Sequence, residues 1–356
     1  MDKMPPVNSG LRARFDDELA TFLAARRDQL AAIDPGLEPV SAALQAFVLE
    51  GGKRLRPAFG YWAYRGCGGV DGPGVITALA ALELLHAGAL IHDDVMDSSD
   101  TRRGAPAIHR QFGARHTAGQ WSGDPDGFGE AAAILLGDLC LVWSDEMFHG
   151  ARVPHERLDA AQPYYDAMRT EVMAGQYLDV LSQARGDDTT AQASRVATYK
   201  SAKYTVERPL LMGGALGGAS EAQMAAFSAY GVPVGEAFQL RDDILGVYGD
   251  PSRTGKPAGG DLREGKRTYL VASAIETGDE PQRATLRRLL GDPALDDAGV
   301  GQLQRIITET GALARTEQRI ESLTAAALHA LDSVTLSGPA SQALRDLATA
   351  SAQRAT

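Results

Sequence analysis

Residues 75–97 read VITALAALELLHAGALIHDDVMD. From 75 to 91 the run is apolar except for Glu83 and His86, and it passes directly into His92-Asp93-Asp94. Two ionisable groups inside the run and a carboxylate cluster at its end do not suit a membrane span. A helix apolar on every side and buried within a larger helical protein does. Outward from this stretch the same texture continues. Alanine and leucine dominate, apolar residues recur three and four apart, and alternating β-branched runs hardly occur. The spacing predicts helices over 11–32, 39–50, 55–64, 75–97, 130–148, 154–181, 194–213, 221–248, 282–290 and 297–331, with a short element at 105–113. The stretch 117–129, rich in Gly, Asp and Pro, and the charged, glycine-rich 249–265 read as loops. No repeat or dividing linker interrupts the pattern. The expectation is an all-α single domain over 11–356 after a frayed start at 1–10.

The 356 residues carry a net charge of −11, which argues against a nucleic-acid partner. It leaves room for small anionic substrates, because local clusters set the local potential. The N-terminal ten residues lack the apolar core of a signal peptide. Cys67 and Cys140 lie far apart with no metal-type spacing, as expected of two reduced thiols in a cytoplasmic protein without a transmembrane segment.

Two carboxylate clusters end long apolar helices. In the first, Asp93 and Asp97 are four apart and share a helical face, while Asp94 lies to the side. Acidic groups at a helix C-terminus oppose the macrodipole, so a bound cation is the better explanation of their presence. Oxygen ligands without cysteine suit Mg²⁺. The second cluster is Asp242-Asp243-Ile244-Leu245-Gly246, with Gln239 one turn before it. Basic groups occur in glycine-flanked segments: Lys53 and Arg56 in 51–57, read as one face at a helix N-terminus; Arg102-Arg103; Lys256; and Lys266. Each alone reads sooner as a surface charge; together, flanking both acidic clusters in order along the chain, they read as anion-binding groups. His86, two turns before Asp93, reads on its own as a hydrogen-bonded core residue. His109 reads as structural, and His92 as pointing away from the metal face.

Taken together, GGKRLRP (51–57), AGALIHDDVMDSSDTRRG (87–104), EVMAGQYLD (171–179), FQLRDDILGVYGD (238–250) and GKPAGGDLREGKRT (255–268) resemble the trans-isoprenyl diphosphate synthases, or polyprenyl synthetases. The segment AAAILLGDLCLVWSD (131–145) is most similar to bacterial geranylgeranyl diphosphate synthases. The resemblance implies a helical bundle of the isoprenoid synthase type with a central cavity between long helices. It implies three Mg²⁺ ions bound with the diphosphate, a homodimer, and isopentenyl diphosphate and an allylic prenyl diphosphate as substrates. Asp93, Asp97 and Asp242 would hold metal, with Asp94 and Asp243 in support. Lys53, Arg56, His86 and Arg103 would hold isopentenyl diphosphate; Arg102, Lys203, Lys256 and Lys266 would hold the allylic diphosphate. Gln239 and the Lys203 backbone would face the allylic cation. Two positions depart from the family pattern. Gly246 stands where many relatives carry a third aspartate, and Lys203-Tyr204 where they carry lysine-threonine.

Product length should depend on the helix wall before Asp93. An isoprene unit spans about one helical turn, ~5 Å. Gly88 and Ala89, one turn back, are small and Leu85, two turns back, is larger, which points to a product longer than farnesyl, with geranylgeranyl first. The competing reading of Gly88 is close helix packing. Competing readings of the whole chain are a longer-chain synthase, a class I terpene cyclase, and a non-catalytic subunit of a heteromeric synthase.

Overall fold

A computed structural model describes residues 9–249 and 259–353. Of the expected frayed start, residues 1–8 lie outside the described residues, whereas Ser9 and Gly10 already belong to the first helix. The all-α expectation holds: the described strands are two residues long each, β1 (Thr101–Arg102) paired antiparallel with β2 (Ala105–Pro106) around the Arg103-Gly104 turn. The chain divides into two compact units, 9–61 with 70–158, and 62–69 with the described part of 159–353.

The first unit is built on α1 (Ser9–Ile33), α2 (Glu38–Leu49), the start of α3 (Leu55–Gly66), α4 (Pro73–Met96), α5 (Ile108–Ala118) and α6 (Pro125–His149). Leu79, Leu82, Leu84 and Leu85 of α4 are fully buried, each contributing about 1.5–3 kcal/mol relative to exposure. Small residues let α6 lie close against α4. A Cβ at Gly88 would meet the Gly137 carbonyl oxygen at 2.9 Å, and one at Gly137 would meet His92 Nε2 at 2.2 Å. Ser144 Oγ donates to the Ala81 carbonyl (2.7 Å). The loop expected over 117–129 shrinks to 119–124, because Asp124 caps α6 by accepting from the Asp126 and Gly127 amides and Pro125 opens the helix. Both α4 and α6 are long and apolar enough to cross a membrane by length and composition. α4 is a core helix; α6 leaves Leu135 62% and Val142 63% exposed.

The second unit comprises most of α7 (His155–Arg185), α8 (Thr190–Val196), a π-helical segment (Ala197–Glu207), α9 (Arg208–Gly217), α10 (Glu221–Tyr248), α11 (Gly260–Arg263), α12 (Tyr269–Thr277), α13 (Glu280–Leu289), α14 (Asp297–Glu309), α15 (Ala312–Asp332) and α16 (Ala340–Ala352). α10 begins at a capping box, Ser220 with Gln223, and spans the expected residues. The single helix expected over 297–331 is two, broken at Gly311 (φ 75°).

The single α-helix expected over 194–213 contains the π-helical segment. Pro209 has no N–H for the carbonyl four residues back, and its ring presses on that carbonyl in an α-helix. The wider turn before it relieves this, with the Arg208 N–H donating to the Lys203 carbonyl. Glycines on the flanking helices admit the backbone of this segment. A Cβ at Gly175 would lie 2.4 Å from Lys200 N, one at Gly235 2.4 Å from Ala202 Cα, and one at Gly231 2.7 Å from Glu207 Cα.

Candidate active site

In the first unit, the C-terminal end of α4 carries the Asp cluster. Asp97 caps the helix, its N–H donating to the Asp93 carbonyl, so the two carboxylates share one end of one face. Asp94 points inward, 1% exposed, and accepts two hydrogen bonds from Arg102, one of them from Nε at 2.8 Å. Arg102 Nη2 also lies 3.5 Å from Asp93. The positive charge expected to meet a diphosphate is thus bound to the aspartate cluster itself. His92 turns to α6, its Nε2 3.0 Å from the Ile134 carbonyl oxygen, consistent with a side chain aimed away from Asp93.

The segment 51–57 is not a helical face. Gly51 (φ 86°), Gly52 (φ 79°) and Arg54 (φ 52°) have left-handed backbone, and α3 begins only at Leu55. Lys53 therefore sits on a loop and Arg56 in the first helical turn, which corrects the expectation that a three-residue spacing put them on one face. The tight loop makes room for Arg103: a Cβ at Gly51 would meet Arg103 Cδ at 3.3 Å. Arg103 donates to the Phe47 and Glu50 carbonyls (3.0 Å each) and lies over the Phe47 ring. Burial lowers its proton affinity, and the neighbouring Arg54 and Arg102 add to that. His86 is pushed well below the usual histidine range by burial first, then by Arg56, Arg103, Arg102 and Arg54. The charges of these arginines act on His86 in the same direction as its burial.

Arg54 is a residue that the sequence reading passed over. It is 2% exposed and donates to Glu83 (2.8 Å), Asp16 (2.7 Å) and the Val48 carbonyl (2.7 Å). Glu83, which interrupts the apolar run, is thereby explained as a buried ion-pair partner. An acidic residue inside an apolar helix was the available signal that a cation must meet it.

Of the expected wall residues, Leu85 is fully buried and Ala89 is part-exposed. Gly88 packs against α6 rather than lining an open channel. Gly88→Phe is expected to destabilise the protein by about 1–3 kcal/mol or more through overpacking, measurable by urea unfolding. A Gly88→Phe protein as stable as wild type and making a shorter product would restore Gly88 as a wall.

In the second unit, Gln239 Nε2 donates to Asp243 Oδ1 (2.7 Å), so Gln239 positions the cluster's inner carboxyl. Asp243 is buried, and burial pushes its carboxyl up to about 8; Asp261 and Asp242 push the same way, against the Gln239 hydrogen bond and Lys266. Lys266 Nζ lies 2.6 Å from Glu264 and 3.9 Å from Asp261. Lys256 lies outside the described residues.

Lys203 Nζ is 3.1 Å from Glu171 and 3.6 Å from Glu207. Arg208 also donates two hydrogen bonds to Glu171. Burial alone would raise the Glu171 carboxyl, but the Arg208 and Lys203 hydrogen bonds outweigh it and lower it. The Lys203 charge is therefore already shared by carboxylates, and its carbonyl accepts the Arg208 N–H. Three residues earlier on the same π segment, Lys200 Nζ pairs with Asp179 at 2.7 Å. Asp179 belongs to the quoted EVMAGQYLD stretch, which was the one sequence hint to this second lysine. Cys67 and Cys140 are free thiols, pushed up by burial to about 11 and about 12, and stand inert.

Among the described residues, no three His, Cys, Asp or Glu side chains converge closely enough to hold a metal unaided. The donor set near each helix end is nonetheless oxygen only. That fits Mg²⁺, which keeps several waters and takes one or two carboxylates plus substrate phosphates.

An all-helical protein whose long helices end in paired aspartates, with arginines gathered on a nearby loop, is of the isoprenoid synthase type. The polyprenyl synthetase family model matches residues 38–307, and the chain belongs to that family. It is 32% identical to a short chain isoprenyl diphosphate synthase of Methanothermobacter thermautotrophicus, over 74% of this chain and 75% of the relative. It is 35% identical to a geranylgeranyl diphosphate synthase of Methanosarcina mazei, over 68% and 69%. Among solved structures, the geranylgeranyl pyrophosphate synthase of Corynebacterium glutamicum, complexed with isoprenyl diphosphate and magnesium, superposes with a TM-score of 0.94 at 39% identity. That match covers 97% of this chain and 99% of the other. By family, the protein is a trans-prenyltransferase.

Proposed function

We propose that the chain joins isopentenyl diphosphate to an allylic prenyl diphosphate, head to tail and trans, giving geranylgeranyl diphosphate as its main product. The observation that carries this reading is the Arg103 side chain lying with Arg54 against the Gly51-Gly52 loop that bears Lys53, in addition to the two aspartate clusters. A cyclase that ionises one prenyl diphosphate has no use for a second anion site. A non-catalytic subunit would have no reason to keep Asp93, Asp94 and Asp97. Geranylgeranyl and geranylfarnesyl diphosphate synthases both stand among the relatives, so the terminal length rests on the small residue at Ala89 ahead of the larger Leu85.

In this reading Asp93, Asp97 and Asp242 hold three Mg²⁺ ions on the allylic diphosphate, with Asp94 and Asp243 behind them. Bound magnesium supplies the charge that lets the pyrophosphate leave. Arg102, Lys266 and Lys256 share that duty, together with Lys203 or its neighbour Lys200. Lys53, Arg56, His86 and Arg103 hold isopentenyl diphosphate. As a neutral imidazole, His86 offers one N–H donor without adding charge. Gln239 keeps Asp243 in place and aims its own amide dipole. No protein base stands out for the final proton, which is left to the departing pyrophosphate. The exposed apolar stripe of α6, with Ile134, Leu135 and Val142, supports a homodimer with α6 in its interface.

Product chromatography tests the length. Purified protein given farnesyl diphosphate, isopentenyl diphosphate and Mg²⁺ is expected to make geranylgeranyl diphosphate as the principal end product. Farnesyl diphosphate as the sole terminal product from shorter primers would overturn that length.

A further inference from the structure

Arg241 immediately precedes Asp242 on α10, and its side chain is 12% exposed. Its guanidinium forks onto Glu317 of α15: Nη1 donates to Oε1 (2.7 Å) and Nη2 to Oε2 (2.5 Å). Its Nε donates to the Ala352 carbonyl (2.9 Å). Ala352 is the last residue of α16, so that carbonyl has no partner within its own helix. One side chain therefore pins α10 to two other helices. Two parallel bonds to one carboxylate fix direction as well as distance, and a lysine at 241 could not make that fork. On the other side of Asp242, Asp243 accepts from Gln239 (2.7 Å). Asp242 thus stands between two anchored neighbours, and this turn of α10 cannot rotate without breaking bonds on one side or the other. A separate tie joins α10 to α16 further back: the fully buried Tyr230 donates its hydroxyl to the Leu344 carbonyl (2.6 Å).

We propose that Arg241 is a positioning residue: with Glu317 and the end of α16, it sets the direction in which Asp242 presents its carboxylate. The proposal rests on the reading that Asp242 binds magnesium with the allylic diphosphate. Arg241 does not itself meet the diphosphate, since all of its nitrogens donate elsewhere. Magnesium demands near-ideal octahedral geometry, so a small rotation of a ligand-bearing turn is costly. The C-terminal helix, which packs through Leu344, Leu347 and Ala348, thereby takes part in shaping the second cluster as well as covering the core.

The test measures Mn²⁺ binding with inorganic pyrophosphate, by electron paramagnetic resonance, and the melting temperature in chelator, both on the full-length protein. Arg241→Met is expected to weaken pyrophosphate-dependent Mn²⁺ binding about tenfold, as loss of a group that orients a ligand does. Glu317→Gln, which loses the fork but keeps one acceptor, is expected to weaken it by less. Tyr230→Phe cuts the other tie to α16 and is expected to lower the melting temperature with Mn²⁺ affinity unchanged. Wild-type Mn²⁺ affinity in Arg241→Met would make Arg241 a structural tie only and overturn the proposal, leaving the magnesium reading in place. Equal losses of affinity in Arg241→Met and Tyr230→Phe would overturn it too, because any loosening of α16 would then suffice. If Arg241→Met does not fold, Glu317→Gln, at a side chain 39% exposed, decides by the same two readouts. No pyrophosphate-dependent Mn²⁺ binding by wild type would overturn the magnesium reading itself, and the role of Arg241 with it.

Discussion

Asp93→Ala is expected to lower kcat by about 10²–10³, the loss typical of removing one group that stabilises charge only in the transition state. Stability should move the other way or stay level. Asp93 and Asp97 crowd the C-terminal end of α4, where negative charge opposes the helix dipole and each repels the other. A metal-free protein is relieved of that repulsion by losing one of them, and gives up in exchange contacts that include the 3.5 Å approach of Arg102 to Asp93, Arg102 keeping Asp94 as a partner. Steady-state kinetics at saturating Mg²⁺, with melting temperatures in chelator, separate the two effects. A kcat within threefold of wild type would remove Asp93 from the magnesium site. A fall in both quantities would make it a structural residue.

Arg54→Ala is expected to cost about 3–5 kcal/mol of stability, because it leaves Glu83 buried without its charged partner. Few single substitutions in this chain should cost more. Burial favours the uncharged form of Arg54, but Glu83 and Asp16 more than offset it, so its proton affinity is raised. Replacing both buried partners with apolar residues, Arg54→Leu with Glu83→Leu, should be much milder, since the one charge left behind, Asp16, is part-exposed and keeps Arg12 at 3.5 Å. Denaturant unfolding of the two single variants and the double variant measures the coupling. Additive losses would show that the pair is not a unit. Arg54 also has left-handed backbone beside Gly51 and Gly52 and so shapes the loop bearing Lys53. The residual activity of Arg54→Ala at permissive temperature should therefore fall through KM for isopentenyl diphosphate.

The helical architecture was legible because its signals are local. The apolar run 75–91 and the recurring apolar residues of 221–248 mark α4 and α10 without any knowledge of their neighbours. Two helices, Tyr269–Thr277 and Ala340–Ala352, escaped notice: the first is short and follows a charged, glycine-rich stretch, and the second carries mostly small and polar residues between its leucines. The π segment escaped because its cause, Pro209, lies after it and its accommodation depends on Gly175, Gly231 and Gly235 from other helices. At the candidate site, motifs marked the aspartates, but pairing decided what the cations do. Arg102 is engaged by Asp94, Lys203 by Glu171, and Arg103 by two backbone carbonyls. Gly88 read as an opening in a wall and proved to be a helix contact, since the direction of a missing Cβ is a tertiary fact. Gly246 read as a gap in a cluster, yet a Cβ there would lie 1.9 Å from Asp261 Oδ2, fifteen positions on, so the space is taken.

The most direct measurement is incubation of the purified chain with Mg²⁺, labelled isopentenyl diphosphate and farnesyl diphosphate, beside a second reaction with geranylgeranyl diphosphate alone. The expected result is incorporation of label into a longer prenyl diphosphate that depends on both substrates and on Mg²⁺, with no product in the second reaction. Hydrocarbon release from geranylgeranyl diphosphate alone, with no incorporation of isopentenyl diphosphate, would contradict the prenyltransferase assignment.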